Sequence, residues 1–330
     1  MKRAFRVCIL AVFLVWVAAG LSGAAPGDGE FLNLCEKGTP EELEAAVKEG
    51  ANLGAQDKHG KTPLMRAARS NPNPDSIRTL IAAGADIHAK NSLGAGVLAY
   101  AVDNPNTEVL RIFLDAGLDV NEATPHGTTP LMFAAGSTPN PEAPAVVALL
   151  LEAGADPHAR DKDGLTAFLR AAALNSNPDV LSALLRAGAD IDETKDSMGW
   201  TALMRAARFN PNPGMVQRLL EEGADVDGAN AEGFTPLMIV AALRTENPGP
   251  VVKLLLEAGA DIDAKDTYGW TALMRAAAQN ANPEMTGLLL RAGANASLRN
   301  NDGESALDVA ARNDALNNTE EYRMLEEASK

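Results

Sequence analysis

One ten-residue stretch recurs along this chain and restricts what it can fold into. It reads GWTALMRAAA at Gly269–Ala278, GWTALMRAAR at Gly199–Arg208 and GKTPLMRAAR at Gly60–Arg69. Eight such units follow one another at intervals of 34, 33, 37, 35, 34, 36 and 34 residues, starting at Gly60, Gly94, Gly127, Gly164, Gly199, Gly233, Gly269 and Gly303. Self-similarity at this period is typical of a solenoid, whose units bury their apolar faces only against neighbouring units.

Each unit carries the signals of a tight turn followed by two helices. An Asp or Asn stands three residues before the glycine in seven units, namely Asp57, Asn91, Asp161, Asp196, Asn230, Asp266 and Asn300. Asp or Asn followed by Gly favours a tight turn. A Thr or Ser two residues after most of these glycines predicts the start of the first helix.

Asn-Pro pairs predict the start of the second helix, because Asn caps a helix and Pro suits its first position. These pairs are Asn73-Pro74, Asn177-Pro178, Asn212-Pro213 and Asn282-Pro283. A glycine closes each second helix, and helical spacing predicts burial of residues seven, four and three before it, as at Leu181, Leu184 and Leu185.

Composition fits a helical repeat and narrows the function. Hydrophobic residues make up 46% of the chain but aromatic residues only 4%, so Ala and Leu must supply most of the core. The formal net charge of -15 argues against general nucleic-acid binding, because phosphates would be repelled.

Residues 1–25 have the layout of a secretory signal peptide. Lys2, Arg3 and Arg6 give a positive start, an apolar run follows, and small residues precede a cleavage site after Ala24 or Ala25. The alternative is an uncleaved membrane anchor, but the apolar run is short for a span of about 20 residues. We therefore expect an exported protein, periplasmic or secreted, without a membrane span after cleavage.

The mature chain begins with a shorter first unit that lacks the leading turn. Helices are predicted at Glu30–Lys37 and Pro40–Lys48, with the polar outer surface that a capping repeat requires. Cys35 lies in the first of them, and Cys8 leaves with the signal peptide, so no internal disulfide can form. We interpret Cys35 as a small buried core residue, with a reactive thiol as the alternative.

Two helices and a hairpin in about 33 residues resemble the ankyrin repeat. The family's Thr-Pro-Leu-His-x-Ala-Ala signature appears as Thr62-Pro63-Leu64-Met65-Arg66-Ala67-Ala68, and its Gly-Ala-Asp signature as Gly84-Ala85-Asp86. The resemblance implies an all-α solenoid of helix-turn-helix units with β-hairpins, in a single domain over residues 26–330. Nine units, two of them caps, are expected at about 30–56, 57–90, 91–123, 124–160, 161–195, 196–229, 230–265, 266–299 and 300–330.

The chain departs from the family pattern in two ways that resemble the ankyrin proteins of bacteria. Met replaces the family's His, whose hydrogen bonds normally tie the hairpin to the helix, at Met65, Met132, Met204, Met238 and Met274. The loop between the two helices is also longer and rich in Asn and Pro. Because a thioether cannot make the His bonds, we expect hairpins that are held less rigidly.

Catalytic and metal chemistry have little support in the sequence. His59, His88, His126 and His158 occupy turn positions of the repeat, and no nucleophile elbow, phosphate loop or metal motif occurs. We expect neither catalysis nor a cofactor. The acidic turns suggest a calcium site as an alternative, although Asp is expected in turns anyway: Asp190, Asp192 and Asp196, repeated as Asp261, Asp263 and Asp266.

The resemblance implies a protein-binding module that holds its partner with hairpin tips and the concave helix surface. We expect it to be a monomer that binds no nucleic acid. The runner-up is a protective or inhibitory subunit of another exported enzyme. The first candidate site is an Arg stripe on the first helices: Arg66, Arg170, Arg205 and Arg275, with Arg69, Arg208 and Arg312 three residues later in the repeat. It is interpreted as a positive ridge for an acidic partner. The alternative is that these residues pair with Glu and Asp of adjacent repeats, or that their side-chain stems pack on the helix surface.

The second candidate site follows the turn glycine of four consecutive units, where large apolar residues stand in a row: Leu165, Trp200, Phe234 and Trp270. Met198 and Tyr268 flank two of the same glycines. Large apolar groups in a surface row usually mark an interaction site, and Trp is a favoured hot-spot residue. The alternative is that each ring lies flat on the hairpin of the neighbouring repeat and compensates for the missing His hydrogen bonds.

Overall fold

The computed structural model describes residues 25–137, 140–192, 196–242, 249–279 and 282–330. The predicted signal peptide therefore lies outside the described residues, apart from Ala25. Within these ranges the protein is a helical repeat solenoid of 18 helices in nine pairs, one pair for each predicted repeat. The first pair forms the predicted first repeat and consists of α1 (Asp28–Cys35) and α2 (Pro40–Lys48).

The described residues group into two compact units. The first contains 25–134 and 140–155, and the second contains 135–137 and 156–330. After α1 and α2 the first unit has α3 (Pro63–Ser70), α4 (Pro74–Ala82), α5 (Leu98–Ala101), α6 (Thr107–Asp115), the start of α7 (Pro130–Gly136) and α8 (Ala143–Glu152). Helix α5 has only four residues because the weak copy at Gly94 offers Val97, and no Thr, at the helix start.

The second unit contains the copies that match most closely. Its helices are α9 (Ala167–Leu174), α10 (Asp179–Arg186), α11 (Ala202–Phe209), α12 (Pro213–Glu221), α13 (Pro236–Ala241), α14 (Gly249–Glu257), α15 (Ala272–Gln279), α16 (Pro283–Arg291), α17 (Ala306–Ala310) and α18 (Glu320–Ala328). None of the helices in the described ranges is long and apolar enough to cross a membrane.

The predicted β-hairpins are tight turns rather than strand pairs. In the described part of the chain the single β-bridge joins Arg299 and Ser305. A typical turn is closed by two backbone bonds, from the Asp57 N–H to the Lys61 carbonyl and from the Gly60 N–H to the Asp57 carbonyl. The chain then enters a helix at once, so the turn arms are too short to form a ladder.

The core consists of the residues that the repeat pattern selects, with one correction. Leu64, Met65, Ala67 and Ala68 on α3 are all at most 1% exposed. On the second helices, the residues seven and four before the closing glycine are buried, as Leu181 and Leu184 are on α10. The residue three before it, Leu185 on α10, is only half-buried, because the buried stripe turns toward the eighth position, which Val180 occupies on α10.

The helix ends follow the predicted chemistry. The Thr62 hydroxyl accepts the Met65 N–H at the start of α3, and the Asn73 amide oxygen accepts the Asp75 N–H at the start of α4. The second-helix starts are confirmed at Asn73, Asn212 and Asn282. At Asn177 the helix begins one residue later than predicted, although this Asn still accepts the Asp179 N–H.

A further Asn, in the loop after the first helix, links six of the described repeats to the repeat before. Except for Asn175 and Asn313, it lies two residues before the N-cap of the second helix. The side-chain amide of Asn104 donates to the carbonyls of Ala68 at 2.8 Å and Asn71 at 2.9 Å, and its oxygen accepts the Asn106 N–H. We call this set the Asn ladder; its described members are Asn71, Asn104, Asn140, Asn175, Asn210 and Asn313. The Asn-rich loops therefore join neighbouring repeats as well as starting helices.

Candidate partner-binding surface

The turn carboxylates hold the backbone of the residues predicted to bind a partner. One oxygen of Asp196 accepts the N–H groups of Met198 at 2.8 Å and Trp200 at 3.0 Å. Asp266 does the same for Tyr268 at 2.8 Å and Trp270 at 2.9 Å. A single carboxylate thus fixes the residues on both sides of each turn glycine.

The second oxygen of the same carboxylate pairs with an Arg nine residues later, on the first helix of the same repeat. We call this arrangement the turn clamp; its members are Asp57–Arg66, Asp161–Arg170, Asp196–Arg205 and Asp266–Arg275. The Nε of Arg205 lies 2.8 Å from Asp196 Oδ2, and the side chains of Asp196 and Asp266 are fully buried. The clamp neutralises both charges and ties the turn to the helix.

These contacts bear on both expectations for the Arg stripe. Arg66, Arg170, Arg205 and Arg275 are 12–24% exposed and paired with carboxylates, as the ion-pairing interpretation states, but mainly within their own repeat. Arg66 alone among them also pairs with a carboxylate of the preceding repeat, Glu36, at 2.7 Å in the described structure. In these four repeats the clamp supplies a tie between turn and helix.

The repeats themselves contain the signal for the clamp, which the sequence analysis missed. Every turn that begins with Asp and carries Arg nine residues later forms it. Turns that begin with Asn or Thr carry an uncharged residue at that position, namely Tyr100, Phe133, Ile239 and Val309. Tyr100 makes an uncharged version, because its hydroxyl accepts the Asn91 side-chain amide at 2.5 Å.

The clamp formed by Asp57 and Arg66 shows how the arrangement changes the pKa of the turn carboxylate. Partial burial would by itself raise the pKa of Asp57, but donors surround the carboxylate and act against it. The N–H groups of Lys61 and His59 and the guanidinium of Arg66 together lower the pKa from its ordinary value of 3.8 to about 2. Asp57 is therefore ionised in the folded protein far below neutral pH.

The aromatic row lies against the clamps of the second unit. The Arg275 guanidinium lies between two rings, 4.3 Å from the Phe234 centroid and 4.9 Å from the Trp270 centroid. Trp200 stacks on Phe209 with ring centroids 5.9 Å apart and planes inclined by 26°. Each contact falls in the attractive range for cation–π or stacked pairs. The rings are thus partly packed, but on the first-helix side chains Phe209 and Arg275 rather than flat on a neighbouring turn.

A large part of this surface nevertheless faces solvent. Met198 is 60% exposed, Tyr268 58% and Phe209 48%, while the other predicted members are half-buried. Phe209 was not predicted; it stands at the end of α11, one residue after Arg208. We call the set the tip surface, consisting of Leu165, Met198, Trp200, Phe209, Phe234, Tyr268 and Trp270.

The second set of Arg residues is more exposed than the clamp set. Arg69, 47% exposed, pairs with Asp103 of the next repeat at 3.2 Å. Arg208 is exposed and lies 5.7 Å from the Phe209 ring centroid. Arg312 pairs with Glu304. Of these, only Arg208 contacts the tip surface in the described structure.

The His residues, Cys35 and the remaining turn carboxylates have structural positions that the repeat explains. The four His are exposed turn residues, and burial raises the pKa of the Cys35 thiol to about 12. In the residues that the structure covers, no group of His, Cys, Asp or Glu is arranged to hold a metal ion. The turn carboxylates bind backbone instead: Asp192 accepts the Asp225 N–H at 3.0 Å, and Asp263 accepts the Asn295 N–H at 2.9 Å.

Comparison with known proteins agrees with this geometry. The family described as ankyrin repeats (3 copies) matches residues 71–161, 139–230, 168–266 and 237–325. A 50-residue stretch, 15% of the chain, is 54% identical to protein fem-1 homolog A of Danio rerio and covers 8% of that protein. Proteins built from ankyrin repeats are generally non-catalytic scaffolds for protein–protein interaction. On this evidence the chain belongs to the ankyrin-repeat family.

Proposed function

We propose that this protein is an exported, non-catalytic scaffold that binds a protein partner through the tip surface. The observation that carries the proposal is the exposure of large apolar side chains in the second unit, with Met198 and Tyr268 on two of its turns and Phe209 at the end of α11. They lie beside a half-buried apolar row on four consecutive turns, namely Leu165, Trp200, Phe234 and Trp270. Soluble proteins rarely leave such groups together on the surface without an interaction to cover them.

The turn clamps support this proposal because they preorganise the surface. Hydrogen bonds from both flanking residues to one buried carboxylate fix the backbone of Met198 and Trp200, and likewise of Tyr268 and Trp270. Aromatic side chains have few rotatable bonds, so ordering them on binding loses little entropy. In this proposal Arg205 and Arg275 hold the surface in place, and the direct contacts come from the rings, Met198 and the exposed Arg208.

The double variant Trp200→Ala plus Trp270→Ala tests the surface. If the rings bind a partner, each substitution lowers affinity by about 2 kcal/mol or more, and the melting temperature changes little. If the rings only pack against Arg275 and Phe209, stability falls and the folded fraction keeps its affinity. Affinity capture followed by titration of the captured protein, with a thermal melt of each variant, separates these outcomes.

Leu93→Ala is the matched control. Leu93 also precedes a turn glycine and is 71% exposed, but it belongs to the first unit and is not a member of the tip surface. We expect it to leave partner binding unchanged. An equal loss of binding in the control would show that general surface hydrophobicity, rather than the tip surface, captures the partner.

Export is proposed from the predicted signal peptide at residues 1–25. We expect the mature protein in the periplasm or outside the cell, starting at Ala25 or Pro26. Cell fractionation followed by mass spectrometry of the intact protein tests this. An uncut N-terminus in the soluble cytoplasmic fraction would contradict the proposal.

A further inference from the structure

The residue just before the turn glycine changes in a regular way along the second unit. It is acidic, apolar, acidic, apolar and acidic in five consecutive repeats, namely Asp163, Met198, Glu232, Tyr268 and Asp302. All five side chains are exposed. The position after the glycine carries the half-buried members of the tip surface, so the alternation concerns the outermost residue of each turn.

Backbone contacts show that successive turns follow one another directly. The Asp163 carbonyl accepts the Ser197 N–H at 3.1 Å, and the Glu232 carbonyl accepts the Thr267 N–H at 3.0 Å. The Tyr268 carbonyl accepts the Asn301 N–H at 3.0 Å. Each acceptor is the outermost residue of one turn, and each donor directly precedes the outermost residue of the next. The acidic and apolar side chains therefore alternate in space as well as in sequence.

The five residues of this row carry three negative charges and no positive one. Asp163, Glu232 and Asp302 have no ion-pair partner within the described part of the chain, whereas Arg205 and Arg275 are already neutralised by their clamps. Lys162 and Arg208 are exposed cations close to the row, and so are Arg160 and Arg299, whose guanidinium groups donate to the carbonyls of the turn glycines that follow Asp163 and Asp302. Glu232, at the centre of the row, is therefore the carboxylate that stands furthest from a cation in the described contacts. Carboxylates beside exposed apolar groups complement a partner that carries cations beside its apolar anchors.

We propose that the partner of the tip surface presents a segment in which Lys or Arg alternates with large apolar residues. This inference rests on the proposed function and names the chemistry of its partner. Apolar side chains of the segment cover Met198 and Tyr268, and its cations face Glu232 and the two outer carboxylates. Such a partner is the opposite of the acidic one that the Arg stripe alone suggests.

Selection of peptides from a random display library against the full chain tests the inference. We expect the selected peptides to be enriched in Lys and Arg next to large apolar residues, and their affinity to fall as salt is added. Glu232→Lys reverses one charge of the row and should weaken binding about five- to tenfold at low ionic strength, as expected for losing an exposed ion pair and gaining a repulsion. The control Glu326→Lys makes the same charge change on the exposed side of α18 and should leave affinity unchanged.

The outcomes separate this inference from the proposed function. Peptides that bind through Trp200 and Trp270 but lack basic enrichment, or that tolerate Glu232→Lys, overturn the basic partner and leave the tip surface standing. Peptides that bind equally well to the double Trp variant overturn both. A selection that yields no specific binders also overturns the inference, because an alternating basic and apolar segment is well represented in a random library.

Discussion

Replacing Asn104 with alanine removes one member of the Asn ladder and should destabilise the protein more than any change at the neighbouring helix cap. Asn104 is fully buried, donates to the carbonyls of Ala68 and Asn71, and accepts the Asn106 N–H. Each such bond contributes about 0.5–1.5 kcal/mol net, and buried groups left without partners lose more. We expect the free energy of unfolding to fall by about 3 kcal/mol.

Asn106→Ala, two residues further along, is the matched control. Asn106 caps α6 by accepting the Glu108 N–H at 3.0 Å, and its amide donates to the Pro72 carbonyl at an exposed position. Loss of a cap lowers stability by about 1 kcal/mol. The two variants therefore make the same chemical change at sites that differ mainly in burial.

Urea unfolding followed by far-UV circular dichroism measures both losses, and amide hydrogen exchange shows where protection is lost. The second measurement is needed because unfolding of a long repeat array is not always two-state. For Asn104→Ala we expect faster exchange in α3 and α5, the helices whose ends the ladder joins. Equal losses in the two variants, or a loss below about 1 kcal/mol for Asn104→Ala, would refute the role assigned to the ladder.

Three other features give direct tests. Asp57→Asn should lower the free energy of unfolding by roughly 1 kcal/mol at pH 6. Each unit by which folding lowers a carboxyl pKa stabilises the folded state by about 1.4 kcal/mol, and solvent screening reduces that stabilisation. Because the folded pKa of about 2 lies below the ordinary 3.8, the wild-type advantage should disappear as pH falls from about 4 to 2, as urea unfolding at each pH would show. Arg275→Gln should free the turn that carries Trp270 and so increase acrylamide quenching of the Trp fluorescence. Arg170→Gln, which frees a turn without Trp, should leave the quenching unchanged. Equal quenching in the two variants would contradict a clamp role for Arg275. Cys35 should react with a thiol reagent only after unfolding, and rapid labelling of the native protein would contradict its burial.

The fold could be predicted from the sequence because most repeats carry the same local signals. Thr62 and Asn73 reveal helix starts through chemistry that acts within three residues, and the periodic Leu and Ala identify the core. Cys35 was placed correctly for the same reason. Such features depend on neighbours along the chain, which a single sequence displays.

What the sequence analysis missed depends on contacts between distant residues. The partner of Arg275 lies nine residues earlier, across a turn, and the partners of Asn104 lie 33 and 36 residues earlier in another repeat. Nothing in the local pattern distinguishes an Asn that caps a helix from one that crosses to its neighbour. Comparing repeats with one another would have found the clamp, since Arg occurs nine residues after a turn only where that turn begins with Asp.

The Asn ladder gives each repeat a donor end and an acceptor end. The first repeat has Gly38 where later ones have Asn, and its carbonyls accept from Asn71 without any Asn of its own to donate. An interior repeat both donates to its predecessor and accepts from its successor, as Asn104 does with Asn71 and Asn140. A repeat inside a unit whose described residues show both ends can therefore be duplicated or deleted, and the new junction can form the same bonds. Such a gene can change the length of its product by copying repeats, whereas loss of the first repeat would leave an unmatched donor.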